Sequence, residues 1–348
     1  MAALGAQDPN RILQSRLVIL KLAPVIMRKF EKPTVVVSHC LGFEAVRYNG
    51  AIINDDFVER LKGYVKFVTV CPEVEIGLGV PREPVRIVEI KGRRRLIQPA
   101  TGLDLTEKME RFSEKFLKSL PEVDGFIMKS RSPSSGIKDV KIYSGKEKSP
   151  AIGKGPGFFG GEILEMFPGT AIEDEGRLLN LRIREHFLTR IFALAALRKV
   201  VGSGTIGKLV AFHTANKLLL MSASQKEMRL LGKIVANHEK RKFIDVGNDY
   251  DIHFRAALAR PIRESANVNM LMHAFGYFSD KLSSNEKKHF LDLLEKYRNR
   301  RLPLAALTGI MHSWIIRFDE PYLAGQTFFE LYPEELTELH DSGKGRDI

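Results

Sequence analysis

The feature that most constrains this chain is a change of hydrophobic period part-way along it. Up to about residue 177 the apolar residues come in short runs broken by glycine, proline and charge, whereas from Leu178 onward they recur every three or four positions. Short apolar runs suit buried strands, and the three-four spacing lays one apolar face along a helix. A chain of 348 residues also exceeds the usual size of one hydrophobic core. Two units are therefore expected, a sheet-containing one followed by an all-helical one.

Thr34-Val35-Val36-Val37-Ser38 and Lys66-Phe67-Val68-Thr69-Val70 read as strands, the second stopped by Pro72. Val85 to Ile90 and Arg94 to Gln98, around Lys91-Gly92-Arg93, read as a β-hairpin set apart from the main sheet. The spacing of Leu105, Met109, Phe112, Phe116 and Leu120 marks an amphipathic helix leading into a strand over Gly125 to Lys129. Strand, crossover, strand, helix, strand is the order of an α/β domain with a partly parallel, Rossmann-like sheet. Helical periods then cover Ile183 to Ala195, Ile206 to Met221, Met228 to Ala236, Asn267 to Phe278, Ser284 to Tyr297 and Leu304 to Phe318, giving an all-α C-terminal domain. The expected division is an N-terminal extension over 1–32, the α/β domain over 33–165, a linker over 166–177, the helical domain over 178–335 and a tail over 336–348. Met27 offers an alternative start of translation. Residues 1–26 and the tail after about Pro333 have no convincing apolar face, so both are expected to attach loosely.

Cys40 follows the first strand, Cys71 the second, and the turn Ser132-Pro133-Ser134-Ser135-Gly136 comes shortly after the third. Ligands of open α/β sheets bind beyond the carboxyl ends of the strands, so three loops distant in sequence would meet there. The two thiols can be metal or cluster ligands, nucleophiles or packing residues. Glu73 adds a candidate general acid or base, against the alternative of a cap or surface charge. Ser132, Ser134 and Ser135 supply hydroxyls, and the turn supplies backbone N–H groups, suited to an anion or a carbonyl; a plain turn is the alternative. No zinc spacing surrounds the cysteines. The glycine-rich stretch Gly153 to Gly161 matches no phosphate-binding fingerprint and reads better as a tight structural joint. His213 is weighed as a ligand and reads better as an interior or boundary histidine.

The formal net charge is +12, from 54 Lys and Arg against 42 Asp and Glu, which favours polyanionic partners. Lys91 to Arg95, Lys240-Arg241-Lys242 and Arg298 to Arg301 concentrate that charge, as phosphate contacts or as solvated turns. Two cysteines 31 positions apart make no disulfide framework, which points to a reducing, cytoplasmic setting. No apolar run is long enough for a membrane span.

The chain resembles fusions of a TudS-type thiouracil desulfidase domain with a YbgA-like helical domain, the arrangement of the RudS tRNA-thiouridine desulfidases. The resemblance runs from about Pro33 to Pro333. In the first half it is carried by Ser38-His39-Cys40-Leu41 with Val46 to Gly50, by Cys71-Pro72-Glu73 with Gly77 to Arg82, by Thr101-Gly102 with Asp104, and by Lys129 to Gly136. In the second half it is carried by Arg184 to Phe187, Phe212-His213-Thr214 with Lys217 to Met221, Asn267-Val268 with His273 and Gly276 to Phe278, and Tyr322-Leu323 with Gln326. It implies a 4Fe-4S cluster held by three cysteines, with one iron open to the sulfur of a thiocarbonyl base, and tRNA or a thiolated nucleobase as partner. On that implication Cys40 and Cys71 bind cluster iron, Glu73 activates water or shuttles protons, and Ser132 and Ser134 orient the base. The family's third cysteine falls where this chain has Ser135, and some relatives carry a further cysteine where it has Val46. Three readings are open: a substitution that cripples the cluster, a weak serine-oxygen ligand, or a member that has left cluster chemistry.

Overall fold

A computed structural model describes residues 28–145, 149–338 and 340–341. The first part holds β1 (Thr34–Ser38), α1 (Asp56–Leu61), β2 (Lys66–Val70), α2 (Pro72–Glu75), β3 (Arg86–Ile90), β4 (Arg93–Gln98), β5 (Leu103–Asp104), α3 (Thr106–Ser119), β6 (Gly125–Met128), β7 (Val140–Tyr143), β8 (Ala151–Gly155), α4 (Phe158–Met166) and β9 (Ala171–Asp174). The second holds α5 (Leu181–Gly202), α6 (Ile206–Ala215), α7 (Lys217–Ala223), α8 (Gln225–Ala236), α9 (Phe243–Ala257), α10 (Glu264–Phe275), α11 (Ser284–Arg298), α12 (Leu304–Phe318) and α13 (Pro321–Ala324). The α/β class followed by a helical part is as expected.

The main sheet has the order β2-β1-β6-β9, and every pairing in it is parallel. Val35, Val36 and Val37 of β1 are all fully buried, as in a strand covered on both faces. On one face Val36, Phe126 and Met128 meet Met109 and Leu117 of α3 and Phe159 and Ile163 of α4. On the other, Val35, Val37 and Ile127 meet α1 and also Phe187, Leu188 and Ile191 of α5. The first helix of the second part therefore completes the core of the first. Gly125 permits this approach, because a Cβ there would lie 2.7 Å from Ile191 Cγ2. Asp124 fixes it electrostatically, accepting from Thr34 N at 2.7 Å and pairing with Arg198 of α5 at 2.8 Å.

The hairpin β3–β4 belongs to a second, five-stranded sheet of order β5-β4-β3-β7-β8. Its apolar face, with Ile87, Leu96, Val140 and Ile142, closes the core under α3 and α4. The helical part builds two further cores, one around Tyr250 and Phe254 and one around Phe278, Phe290 and Trp314.

Several expectations change. Residues 166–177 do not form a simple linker, since Ala171–Asp174 is the fourth strand of the main sheet, paired to β6 over its whole length. The described part of the expected tail is anchored: Leu336 is buried in the sheet core, and Arg184 donates to the carbonyls of Glu338 and His340 at 2.8 and 2.5 Å. Residues 28–32 pack on the helical part through Phe30 against Phe192, whereas residues 1–26, expected to attach loosely, and Met27 lie outside the described residues. The period over Ile206 to Met221 is interrupted at Asn216, whose side chain bonds Phe212 O and Thr327. Helix α9 falls outside the expected helical periods, although Val246, Tyr250, Phe254 and Ala257 give it a buried face at helical spacing.

Candidate active site

Because the main sheet is parallel, all four of its strands end on the same side, and each end delivers a polar or sulfur side chain there. Cys40 lies two residues past β1, Cys71 immediately past β2, Lys129 immediately past β6 and Glu175 immediately past β9. Burial pushes the Cys40 thiol up to about 11; the neighbouring Cys71 adds to that rise, while Lys129 and Arg47 oppose it. Burial also raises the Cys71 thiol, against the pull of the Val74 N–H and of Arg82. The two sulfurs thus share one environment, in which both are held protonated at neutral pH.

The Cys71 loop and the serine turn are joined by a chain of side-chain bonds. Glu73 is buried, accepts from Ser134 Oγ through Oε1 at 2.8 Å and from Arg82 Nε through Oε2 at 2.8 Å. Ser134 Oγ lies 3.0 Å from Ser132 Oγ, which accepts from Ser135 N at 3.1 Å. Arg82 extends the chain the other way, reaching Val46 O at 3.0 Å and Cys71 Sγ at 3.7 Å. Its guanidinium and the Glu73 carboxylate are almost fully enclosed, at 6% and 10% side-chain exposure. Such a pair is held by geometry and by hydrogen bonds to both partners rather than by charge alone. Ser135 is also buried, and its hydroxyl bonds to none of the described residues.

Glycines let the next segment close over this turn. A Cβ on Gly157 would sit 2.5 Å from Ser134 O, and one on Gly160 2.2 Å from Gly136 O. The bonds Gly157 N→Gly136 O, Phe158 N→Pro133 O and Gly160 N→Ser134 O occupy the backbone donors involved. The glycine-rich stretch is thereby a packing joint, with the N–H groups of Gly157, Phe158 and Gly160 spent on the serine turn. His213 stands half-buried at the edge of the helical core, with Nδ1 3.2 Å from the buried Tyr250 Oη.

Sequence reasoning singles out Cys40, Cys71, Glu73, Ser132, Ser134 and Ser135, and misses three charged neighbours. Arg82 stands out in the sequence only as the end of a motif, yet it neutralises Glu73. Lys129 and Glu175 form an ion pair, and Glu175 also accepts from Ser130 N at 2.7 Å and Ser130 Oγ at 2.6 Å, tying β9 to the end of β6. Only the pairing of β9 with β6 brings Glu175 here, so no local pattern could have pointed to it. Tyr48, half exposed beneath the Arg47 guanidinium at 5.7 Å, stands on the same loop system as Arg82, whose N donates to Tyr48 O.

Residues 35–175 match the family model for 2-thiouracil desulfurase, and residues 217–333 match a family of proteins of unknown function, DUF1722. An uncharacterized protein of Escherichia coli (strain K12), YbgA, is 32% identical over 161 residues, covering 46% of this chain and 95% of its own length. An uncharacterized protein of Bacillus subtilis (strain 168), YbbK, is 35% identical over 118 residues, covering 32% of this chain and 77% of its own length. The chain joins a domain of the 2-thiouracil desulfurase family, residues 35–175, to a YbgA-like domain. Among solved structures, the [4Fe-4S]-dependent thiouracil desulfidase TudS is 26% identical, with 42% of this chain and 93% of that one covered and a TM-score of 0.34, a value at which the likeness carries no structural argument.

A cluster of the kind implied by the TudS resemblance needs three thiolates. The desulfurase domain offers two, both with raised thiol pKa, and a serine oxygen in the third place. Among the described residues no group of three or more His, Cys, Asp and Glu is placed to hold a metal ion. Serine is a harder and far less acidic ligand than cysteine, so the donor set present does not fit a three-thiolate cluster. Among the same residues no helix is long and apolar enough to cross a membrane.

Proposed function

We propose that the crevice beyond β1, β2 and β6 binds a thiolated pyrimidine and replaces its thiocarbonyl sulfur by oxygen, with 4-thiouridine in tRNA as the substrate. The observation that carries this reading is the bond from Ser134 to Glu73, which closes the Cys71 loop onto the serine turn across 61 positions of sequence. In the balanced reaction water adds to the C=S carbon, its protons end on sulfur, and the oxo base and hydrogen sulfide leave. Ser132, Ser134 and Glu73 form a line of hydroxyls ending on a carboxylate, suited to take a proton from the attacking water. In RNA the target base leaves its stack to reach such a crevice, and the exposed Tyr48 is a surface on which it can stack. The second reading, a protein that keeps the fold and binds RNA without turnover, is favoured by Ser135 alone.

Ser135→Cys separates the two. The exchange swaps one small side chain for another in a buried turn, so the folded protein is expected to persist. Iron and acid-labile sulfide after anaerobic preparation should rise, and desulfuration of 4-thiouridine-containing RNA should appear or increase greatly over the parent. A variant that takes up no more iron than the parent and remains inactive overturns the desulfidase reading and leaves the RNA-binding one.

A further inference from the structure

Helix α5 turns two faces in different directions. Ile183, Phe187, Leu188 and Ile191 join the core of the main sheet, while Arg182, Glu185, His186 and Thr189, spaced three, one and three apart, form the opposite stripe and line a cleft of about 1320 Å³. Asn267 of α10 and Tyr297 of α11 line the same cleft, and Leu258, Ile262, Leu302 and Phe329 give it an apolar side. Two motifs singled out in the sequence, Arg184 to Phe187 and Asn267-Val268, therefore meet at a place that the crevice chemistry does not use.

Three polar groups of this wall lack a donor. Asn267, only 5% exposed, donates through Nδ2 to Tyr297 Oη at 2.8 Å, and its Oδ1 has no partner among the described residues. His186 donates to the Ala259 backbone and, because burial and Arg190 keep its imidazole neutral, presents Nε2 as a lone pair without a partner. The Glu185 carboxylate forms no hydrogen bond or ion pair with a described residue. Burial raises its pKa, and the nearby Arg184 and Arg182 oppose that rise. Both arginines bond elsewhere, Arg184 to the carbonyls of Leu178 and Glu338 at 2.9 and 2.8 Å, Arg182 to Glu264 at 3.5 Å. Arg300 joins Arg182 on Glu264 at 3.1 Å, and the one further guanidinium of the described lining, Arg301, shares that lining with Glu330, Glu334 and Asp341. An acceptor left bare in a half-buried wall costs free energy that a matching donor recovers.

We propose that this cleft binds an organic cation whose head group only donates, a guanidinium or a primary ammonium, seated on Glu185, His186 and Asn267 with its body along the apolar side. A guanidinium offers five N–H donors in a planar fork and an ammonium offers three, and neither carries a lone pair that would need a donor here. A phosphate would meet the same wall lone pair to lone pair. The site lies on the helical part and does not depend on the desulfidase reading.

The test measures binding of agmatine, which carries both head groups, and of spermidine, which carries only amines, by calorimetry and by the shift of the unfolding midpoint. It compares the parent with Glu185→Gln, Asn267→Leu and a control, Glu114→Gln, on the exposed side of α3. At least one of the two cations should bind the parent and raise its midpoint; binding of agmatine alone identifies the guanidinium as the head group. Glu185→Gln should weaken that binding roughly tenfold or more, because a charge-assisted bond becomes a neutral one. Asn267→Leu should weaken it less, and the control should bind as the parent does. Midpoints without ligand show that each variant is folded, and Asn267→Leu decides the matter if Glu185→Gln is not. If neither cation binds the parent, or if folded variants of the wall bind as well as the parent, the proposed site is wrong.

Discussion

In the α/β half, the buried polar side chains of the candidate site bond to one another: Arg82 to Glu73, Glu73 to Ser134, Ser134 to Ser132. Along the helical half a cleft of about 1320 Å³, lined among others by Glu185, His186, Asn267 and Tyr297, holds buried polar atoms without partners, His186 Nε2 and Asn267 Oδ1. In the first case three loops hang on one network, so its members fix each other's positions. In the second each group hangs on one neighbour, His186 on the Ala259 backbone and Asn267 on Tyr297. Removing a member should accordingly cost much in the network and little in the cleft.

The largest effect is expected from Arg82→Met, which leaves the Glu73 carboxylate buried without its counter-charge. Its cost in urea unfolding should be about 3–5 kcal/mol, with Arg82→Lys recovering only part because an ammonium cannot make the same forked contacts. A loss below that of an exposed ion pair, about 1 kcal/mol, would mean that Glu73 and Arg82 do not hold the loops together.

An intermediate effect is expected from acid, through His186. Burial, helped by Arg190 and opposed by the Ala259 bond, lowers its pKa from 6.5 to about 3. The unfolded chain therefore binds a proton that the folded protein refuses between those values, so stability present above pH 6.5 is lost as pH falls. The slope from this group approaches about 1.4 kcal/mol per pH unit. Unfolding of the parent and of His186→Gln, followed from neutral pH downward, should diverge by that slope; parallel curves would place the histidine in solvent.

The smallest effect is expected in the cleft itself. Tyr297→Phe alone should cost about 1 kcal/mol, because the Asn267 amide then loses its one partner. Combining it with Asn267→Leu removes both polar groups and should recover most of that loss. Additive losses in the double variant would show that the cleft is as tightly coupled as the network.

The sequence by itself determined the elements whose cause is local. The β-branched run at Thr34 to Ser38, the run at Lys66 to Val70 ended by Pro72, and the spacing from Leu105 to Leu120 specify strand, strand and helix through their own side chains. Because parallel strands end on one side, the positions of Cys40, Cys71 and the serine turn at those ends already implied that they meet. The tertiary structure decided what depends on a distant partner. Ala171–Asp174 carries two acids in four residues and has no strand signal of its own; it becomes a strand because β6 offers it an open edge, and that pairing delivers Glu175. Arg82 acquires its role only when the chain between residues 73 and 82 folds back to close an ion pair away from water. Helix α5 has an apolar face that could have served the helical part alone, and the missing side chain at Gly125 turns part of it onto the sheet. Local pattern fixes where a chain can be strand or helix, and burial fixes which charges and which faces end up paired.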